Sequence, residues 1–328
     1  MMKAAYIEQP GLAQQIRYGD LAMPIVGERD VLVKVLAVTV NAVDTYIRSG
    51  QYQIQLPSPF IIGRDLTGVV VEVGPAVTRF QPGEHVWANN QGYDGRQGTF
   101  AECCSIDEQL LYHLPAGVDP YEAVTVLHSG LTAVSGLSRV GVQPGETIFV
   151  NGGDGSIGSA VLMIAKALGA KVIVTSGDEQ KAHWCRELGA DHIINYKLQD
   201  IHQVLKELVP EGLNIYWDAT KRFSARKALE VTAKRGRIVV MAGLNHETVL
   251  PVGTFYSRGY TMYGFTVTDA STAELRRYAK QINGWLATGV LHGRIAERLP
   301  LEQAAWAHQI YETQNLFGKL VLSPEWKM

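Results

Sequence analysis

Residues 147–158 read Thr-Ile-Phe-Val-Asn-Gly-Gly-Asp-Gly-Ser-Ile-Gly, an apolar strand running straight into a glycine-rich turn. Gly153, Gly155 and Gly158 stand in G-x-G-x-x-G register, and Gly152, Gly155 and Gly158 fit G-x-x-G-x-x-G. Ile157, Ala160, Val161, Ile164, Ala165 and Leu168 then recur at helical spacing, Gly169 ends the helix, and Lys171–Thr175 makes a second apolar strand. A lone glycine pattern is weak, but strand–turn–helix–strand is the context that gives it meaning. A turn this tight needs residues without a Cβ, and the helix N-terminus offers unpaired N–H groups and a positive dipole end to a pyrophosphate. Gly152, Gly153, Gly155, Ser156, Ile157 and Gly158 are therefore the candidate dinucleotide-binding loop.

At 328 residues the chain exceeds one ordinary core, so two domains are the expectation. The first 120 or so residues read as β-rich: strands at Met2–Ile7, Val31–Val38 and Gly68–Gly74 lie among Pro-Gly and Asp-Gly turns. From about 121 strands and helices alternate. Strands fall at 214–218 and 237–243, and helices around 201–208 and 225–233. Such alternation implies a parallel sheet covered on both faces. Helical stretches at 272–287 and 301–314 precede a last strand at 319–322, which is expected to return to the first segment. The fold class is α/β: a Rossmann doubly wound parallel sheet over 124–265, and a β-rich, partly barrel-like domain from 1–123 and 266–328.

Charge excludes some classes of function. Nineteen per cent charged residues and a net charge of −2 leave no basic patch for nucleic acid or an anionic membrane surface. No apolar run is long enough to span a bilayer. The three cysteines, 103, 104 and 185, form no disulfide framework, which suits a reducing cytoplasm, and no two stand at zinc-ligand spacing.

The second strand decides which dinucleotide is expected. NAD-selective folds place an acid near its tip to hold the ribose hydroxyls. Here the strand ends Val174-Thr175-Ser176-Gly177, with Asp178 and Glu179 following at a helix start, where Ser176 and Glu179 fit a capping box. Lys181, one turn into that helix, is placed to meet a phosphate on the ribose, so NADPH is the expected cofactor.

Several segments together resemble one family. Asn41-Ala-Val-Asp-Thr-Tyr-Ile-Arg-Ser-Gly50, Gly63-Arg-Asp-Leu-Thr-Gly-Val-Val70, Gly98-Thr-Phe-Ala-Glu102, the glycine loop, Gly189-Ala-Asp-His-Ile-Ile-Asn-Tyr196 and Gly318-Lys-Leu-Val-Leu322 carry the likeness nearly end to end. The chain resembles the zinc-independent, ζ-crystallin-like quinone oxidoreductases of the medium-chain dehydrogenase/reductase superfamily. The resemblance implies a GroES-like outer domain, a Rossmann domain and a homodimer. It implies that Asn41 and Tyr46 lie beside nicotinamide and substrate, and that Thr132 contacts the cofactor. Ser176, Lys181 and Tyr196 would form the pocket for the 2′-phosphate, Gly243 and Phe265 would flank the nicotinamide half, and Lys319 would close on phosphates or ribose. Two departures stand out. Asp154 occupies a loop position where the family carries small neutral residues, and a carboxylate there repels a pyrophosphate unless it points to solvent. Asp218-Ala-Thr-Lys-Arg222 lacks the glycine common after that strand.

The zinc enzymes of the superfamily hold a metal where this chain has Asn41 and Arg64-Asp65, and a guanidinium cannot be a ligand. Without a Lewis acid, alcohol oxidation leaves a basic oxyanion unneutralised. Hydride transfer to a quinone or enone gives a delocalised anion that hydrogen-bond donors can stabilise. The expected reaction is therefore quinone reduction by NADPH, with Tyr46 as donor or proton source and Asn41 as orienter. The alternatives are an NADPH-dependent enal or enone double-bond reductase and, in another class, a non-catalytic NADPH-binding structural or RNA-binding protein.

Overall fold

The computed structural model describes residues 1–325. Two compact units divide the chain: Met1–His128 with Ala270–Met328, and Ser129–Asp269.

The first unit opens with β1 (Met2–Ile7), β2 (Arg17–Leu21), β3 (Asp30–Thr39), α1 (Ala42–Ser49), β4 (Phe60–Ile61) and β5 (Leu66–Val73). It continues with β6 (His85–Ala88), β7 (Cys103–Asp107), β8 (Leu111–His113) and α2 (Pro120–Ala123). The chain leaves this unit within α3 (Leu127–Val140). The second unit then runs β9 (Thr147–Asn151), α4 (Ser156–Ala167), β10 (Lys171–Ser176), α5 (Glu179–Glu187) and β11 (His192–Asn195). There follow α6 (Ile201–Leu208), β12 (Leu213–Asp218), α7 (Ala225–Val231), β13 (Thr232–Val240), α8 (Val252–Ser257) and β14 (Thr261–Gly264). The return to the first unit supplies α9 (Thr272–Ala287), β15 (Ile295–Pro300), α10 (Ala304–Thr313) and β16 (Lys319–Ser323).

In the first unit ten-residue β3 is the organiser. It pairs antiparallel with β5, β7 and β16, so chain segments almost 300 residues apart share one seven-stranded sheet. A smaller sheet, β2-β1-β4, completes the β-rich body. Wholly buried Trp87 on β6 donates its indole N–H to Asn283 on α9 at 2.8 Å, and Asn283 donates to the His113 carbonyl at 2.8 Å. That exchange satisfies the one polar atom of the indole and fastens the returning helix.

The second unit is a six-stranded parallel sheet in the order β11-β10-β9-β12-β13-β14, the 3-2-1-4-5-6 succession of the Rossmann fold. Ile148–Val150 and Val172–Val174 are buried throughout, because a parallel sheet covered on both faces hides every side chain of its inner strands. Helix α4 is apolar nearly all round, with every residue from Ala160 to Ala165 buried.

Three local expectations need correction. The helix foreseen to 233 ends at Val231, and β13 starts at Thr232 and stops at Val240 rather than running 237–243. Arg235 takes φ +65°, and pairing with β12 shifts register between Leu213 and Ile215, an irregularity that hydrophobic periodicity does not carry. The stretch 301–314 divides into a 3-10 turn, Leu301–Gln303, and helix α10. The Ser176–Glu179 capping box does not form. Asp178 is the N-cap of α5 and accepts the Lys181 backbone N–H at 2.9 Å, so Ser176 remains the last residue of β10.

On α3, a methyl added to Gly136 would stand 2.3 Å from the Trp217 indole and 2.7 Å from the Phe265 ring. Overpacking costs about 1–3 kcal/mol, and the helix preference of alanine returns about 1 kcal/mol. Because Trp217 is wholly buried, the clash wins. Gly136→Ala is expected to lower unfolding free energy by up to about 2 kcal/mol in urea titration; an unchanged or higher midpoint would show that the indole has room to move.

Candidate active site

Helix α1 begins just after β3 ends, and Asn41 is its N-cap, in extended conformation. Its backbone N–H donates to Asp44 Oδ2 at 2.7 Å. Its amide side chain turns the other way: Nδ2 donates to Asp65 Oδ2 at 3.0 Å, and Oδ1 accepts Lys319 Nζ at 2.5 Å. Only one orientation of the amide satisfies an anion on one side and a cation on the other. Lys319 also donates to the Val40 carbonyl at 3.2 Å. Arg64, beside Asp65 in the chain, donates to Asn90 Oδ1 and stands 5.8 Å from the Tyr93 ring centre. Asp65 is wholly hidden and Arg64 only 2% exposed.

Two carboxylates and two cations are thus buried together, and burial dominates their titration. Asp44 is pushed up to about 7 by desolvation and then by the neighbouring Asp65 charge, against the Asn41 N–H bond and the Arg64 and Lys319 charges. Asp65 is pushed up to about 6 by desolvation, opposed chiefly by Lys319 and the Asn41 amide. Desolvation holds Lys319 below its ordinary value, with both carboxylates working against it. His128 is held well below the usual imidazole range, first by burial and then by Arg64 and Lys319, so it is neutral at pH 7.

Tyr46 lies further along α1, half-buried, with its ring edge-on to Tyr52 at 5.8 Å. The structure therefore brings Asn41 and Lys319 into direct contact and keeps Tyr46 on the helix that Asn41 starts. Sequence reasoning missed Asp44. The available signal was its position three residues after Asn41, where an acid caps a helix start.

In the second unit the glycine loop has the predicted shape. Gly152 takes φ +87°, and a Cβ on Gly158 would fall 2.0 Å from the Gly152 carbonyl oxygen. Gly152 N–H donates to Thr175 Oγ1 at 2.7 Å, Thr175 to Asn151 at 3.1 Å, and Asn151 to Asp218 at 3.0 Å. This chain of bonds ties the carboxyl ends of β10, β9 and β12 together beneath the loop. Helix α4 starts at Ser156 with Gly155 as a cap that has no side chain. The first-turn N–H groups, including those of Ser156 and Ile157, are left for an external acceptor. The cradle and its donors fit a pyrophosphate.

At the tip of β10, buried Ser176 donates through Oγ to Asp154 Oδ2 at 3.2 Å, and Gly177 N–H donates to the same oxygen at 3.1 Å. A Cβ on Gly177 would lie 2.3 Å from the Tyr196 hydroxyl, so the phenol stands directly over this turn although Tyr196 is 48% exposed. Half-buried Asp154 therefore turns one carboxylate oxygen to the tip of β10. Lys181 is not an ordinary surface lysine, being 8% exposed. Thr132 is buried on α3, Gly243 makes a turn at φ +89° that accepts the His246 N–H, and Phe265 packs edge-on to Trp217 under the Arg139 guanidinium.

Among the described residues no three of His, Cys, Asp or Glu gather as they would to hold a metal ion, and no helix is long and apolar enough to cross a membrane.

A family model described as alcohol dehydrogenase GroES-like domain matches residues 27–116, and one described as zinc-binding dehydrogenase matches 156–283. Human quinone oxidoreductase is 28% identical over 98% of both chains. The chloroplastic NADPH-dependent alkenal/one oxidoreductase of Arabidopsis thaliana is 29% identical over 93% of this chain and 75% of its own. The solved structure of Escherichia coli quinone oxidoreductase in complex with NADPH superposes with a TM-score of 0.87 at 26% identity, covering 98% of this chain and all of that one. The paired GroES-like and Rossmann units define a dehydrogenase/reductase of the medium-chain class. Within it, the chain belongs to the ζ-crystallin-like quinone oxidoreductase branch.

The raised Asp44 carboxyl gives a pH test. Its unfolded form titrates near 4 and its folded form near 7, so folding takes up a proton between those values. The stability it contributes is complete below about 4 and is lost as pH rises through 7, by at most about 1.4 kcal/mol per pH unit. Asp65, raised to about 6, acts in the same sense, and the two titrate as a coupled pair. Urea unfolding from pH 5 to 7.5 should therefore show a shallower decline for Asp44→Asn than for the native chain; parallel profiles would mean that Asp44 is ionised throughout.

Proposed function

We propose that this chain reduces quinones with NADPH by direct hydride transfer, with no metal at the reacting oxygen. The observation that carries the reading is the glycine cradle with an open helix start, in a chain that matches quinone oxidoreductases along its whole length. NADPH, when bound, supplies the hydride. Gly152, Gly153, Gly155, Ser156, Ile157 and Gly158 bind the pyrophosphate through backbone N–H groups. Ser176, Lys181 and Tyr196 meet the adenosine ribose, and Thr132, Gly243 and Phe265 orient the nicotinamide half.

Tyr46 donates a hydrogen bond to the carbonyl oxygen on which negative charge develops. That charge is spread over the ring of a hydroquinone anion, so a neutral donor is enough. Asn41 orients the substrate side of α1. Lys319, expected to close on the cofactor phosphates or ribose, also donates to the Asn41 amide and the Val40 carbonyl, and so holds the amide in place. The Arabidopsis relative favours a second reading, reduction of the double bond of an enal or enone, which uses the same cofactor and the same hydride step.

NADPH oxidation by purified protein, compared across a naphthoquinone, an ortho-quinone and a 2-alkenal, is expected to be fastest with a quinone. Enal-selective turnover would move the function to double-bond reduction, and tight NADPH binding without turnover of any acceptor would leave a non-catalytic protein. Tyr46→Phe should lower kcat at least several-fold while NADPH affinity is unchanged; an unchanged kcat would make the ring a wall of the pocket. The resemblance also carries a homodimer, to be read as twice the chain mass in sedimentation velocity, and the cysteine usage carries a cytoplasmic place of work.

A further inference from the structure

We propose that Asp154 sets how this chain discriminates between NADPH and NADH, its carboxylate reaching from the glycine loop to the donors at the tip of β10. The inference rests on the dinucleotide reading above. It concerns a residue at which this loop departs from its family's pattern of small neutral side chains.

A Rossmann fold that prefers NADH places an acid at the end of its second strand, where the carboxylate accepts the 2′-hydroxyl of the adenosine ribose. One that prefers NADPH leaves donors there for the 2′-phosphate. By sequence this chain belongs to the second kind, because β10 ends Thr175-Ser176-Gly177 with no acid. In the folded chain the acid is present all the same, delivered from 22 residues upstream. Asp154 Oδ2 accepts the Ser176 hydroxyl at 3.2 Å and the Gly177 N–H at 3.1 Å. Tyr196 stands over the same turn. Both donors that converge on this oxygen are among the groups a 2′-phosphate would need, and each can serve only one of the two anions.

Two effects follow, and both have the same sign. A 2′-phosphate must displace the carboxylate from Ser176 and Gly177, and it then shares the pocket with a like charge a few ångströms away. A 2′-hydroxyl leaves the two bonds in place and can donate to the carboxylate itself. The Ser176 bond is longer than the about 2.5–2.7 Å usual for a hydroxyl donating to a carboxylate, and Ser176 Oγ also lies 3.3 Å from the Asp178 carbonyl, so the latch is one that a phosphate can open. The chain is therefore able to take NADPH through Ser176, Lys181 and Tyr196, but with a narrower preference over NADH than those three residues alone would give.

The test uses the adenosine halves of the cofactors, so that its readout is binding and not turnover. Dissociation constants of 2′,5′-ADP and 5′-AMP are measured by calorimetry on the native chain, Asp154→Asn and Asp154→Ser. Asparagine keeps the shape of the loop and removes the charge, and serine restores a small neutral side chain. Both variants are expected to shift the affinity ratio toward 2′,5′-ADP by at least tenfold, equivalent to about 1.4 kcal/mol. The shift should combine tighter 2′,5′-ADP with 5′-AMP unchanged or weaker, and titrations with intact NADPH and NADH should move in parallel. A ratio unchanged in both variants, or both ligands changing by one common factor, would overturn the proposal and leave Asp154 a structural loop residue. A native chain that binds neither fragment nor either intact dinucleotide would overturn the dinucleotide reading itself, and the proposal with it.

Discussion

Four ionisable groups buried in one place constrain the first unit. Asp44, Arg64, Asp65 and Lys319 are two acids and two bases, and their mutual compensation is a balance that burial shifts toward the neutral acid, with Asp44 pushed up to about 7 and Asp65 to about 6. Removing one partner would leave its opposite uncompensated in a low dielectric, far costlier than losing a surface ion pair. The balance is assembled from three distant parts of the sequence: the start of α1, the turn before β5, and β16. The antiparallel pairing of β16 with β3 at Thr39 and Val38 brings Lys319 to Asn41. Sheet topology and site chemistry are therefore one constraint, and a change that unseats β16 also unseats the amide that Lys319 holds.

The same cluster fixes the side chain at position 41. In the zinc enzymes of the superfamily the corresponding residues serve a metal, whose charge does the electrostatic work. Here a carboxylate and an ammonium grip the two ends of the Asn41 amide, fixing its orientation. Burial raises both acids toward neutrality, because an anion loses more solvation there than the cations return. The cluster is thus a preorganised polar support whose groups are spent on one another.

Much of this could be read from the sequence, and the exceptions have a common cause. The glycine loop, the inner strands Ile148–Val150 and Val172–Val174, and helices α4 and α9 were legible because each obeys a local rule: missing Cβ atoms, continuous burial, or a 3.6-residue period. The early start of β13 was not, because a positive φ at Arg235 and a register shift depend on the neighbouring strand. Ser176 was misassigned as a helix cap because the caps offered by Ser176 and Asp178 look alike in sequence, and only the helix start decides between them. Asp154 was legible as an oddity but not as a participant. Its partners lie 22 and 23 residues away at the end of β10, a contact that belongs to the fold and not to any window of sequence.

The bonds inside the buried cluster bear on which of its members can meet a substrate. A group already bonded inside a buried cluster must give up that bond before it can stabilise a developing oxyanion, and leaving its old partner unmet costs about 1–3 kcal/mol, more where that partner is charged. Asn41 would have to abandon Asp65, and Lys319 would have to abandon Asn41 and Val40. Neither exchange favours the transition state over the ground state, which is the only preference that raises a rate. Tyr46 is placed differently: it stands half-buried on the helix that Asn41 begins, outside the four-charge balance, with its ring edge packed on Tyr52. On the proposed reading, the phenol rather than the buried amide or ammonium is the group that meets a carbonyl oxygen. The buried cluster thus fixes the start of α1, the helix that also carries Tyr46.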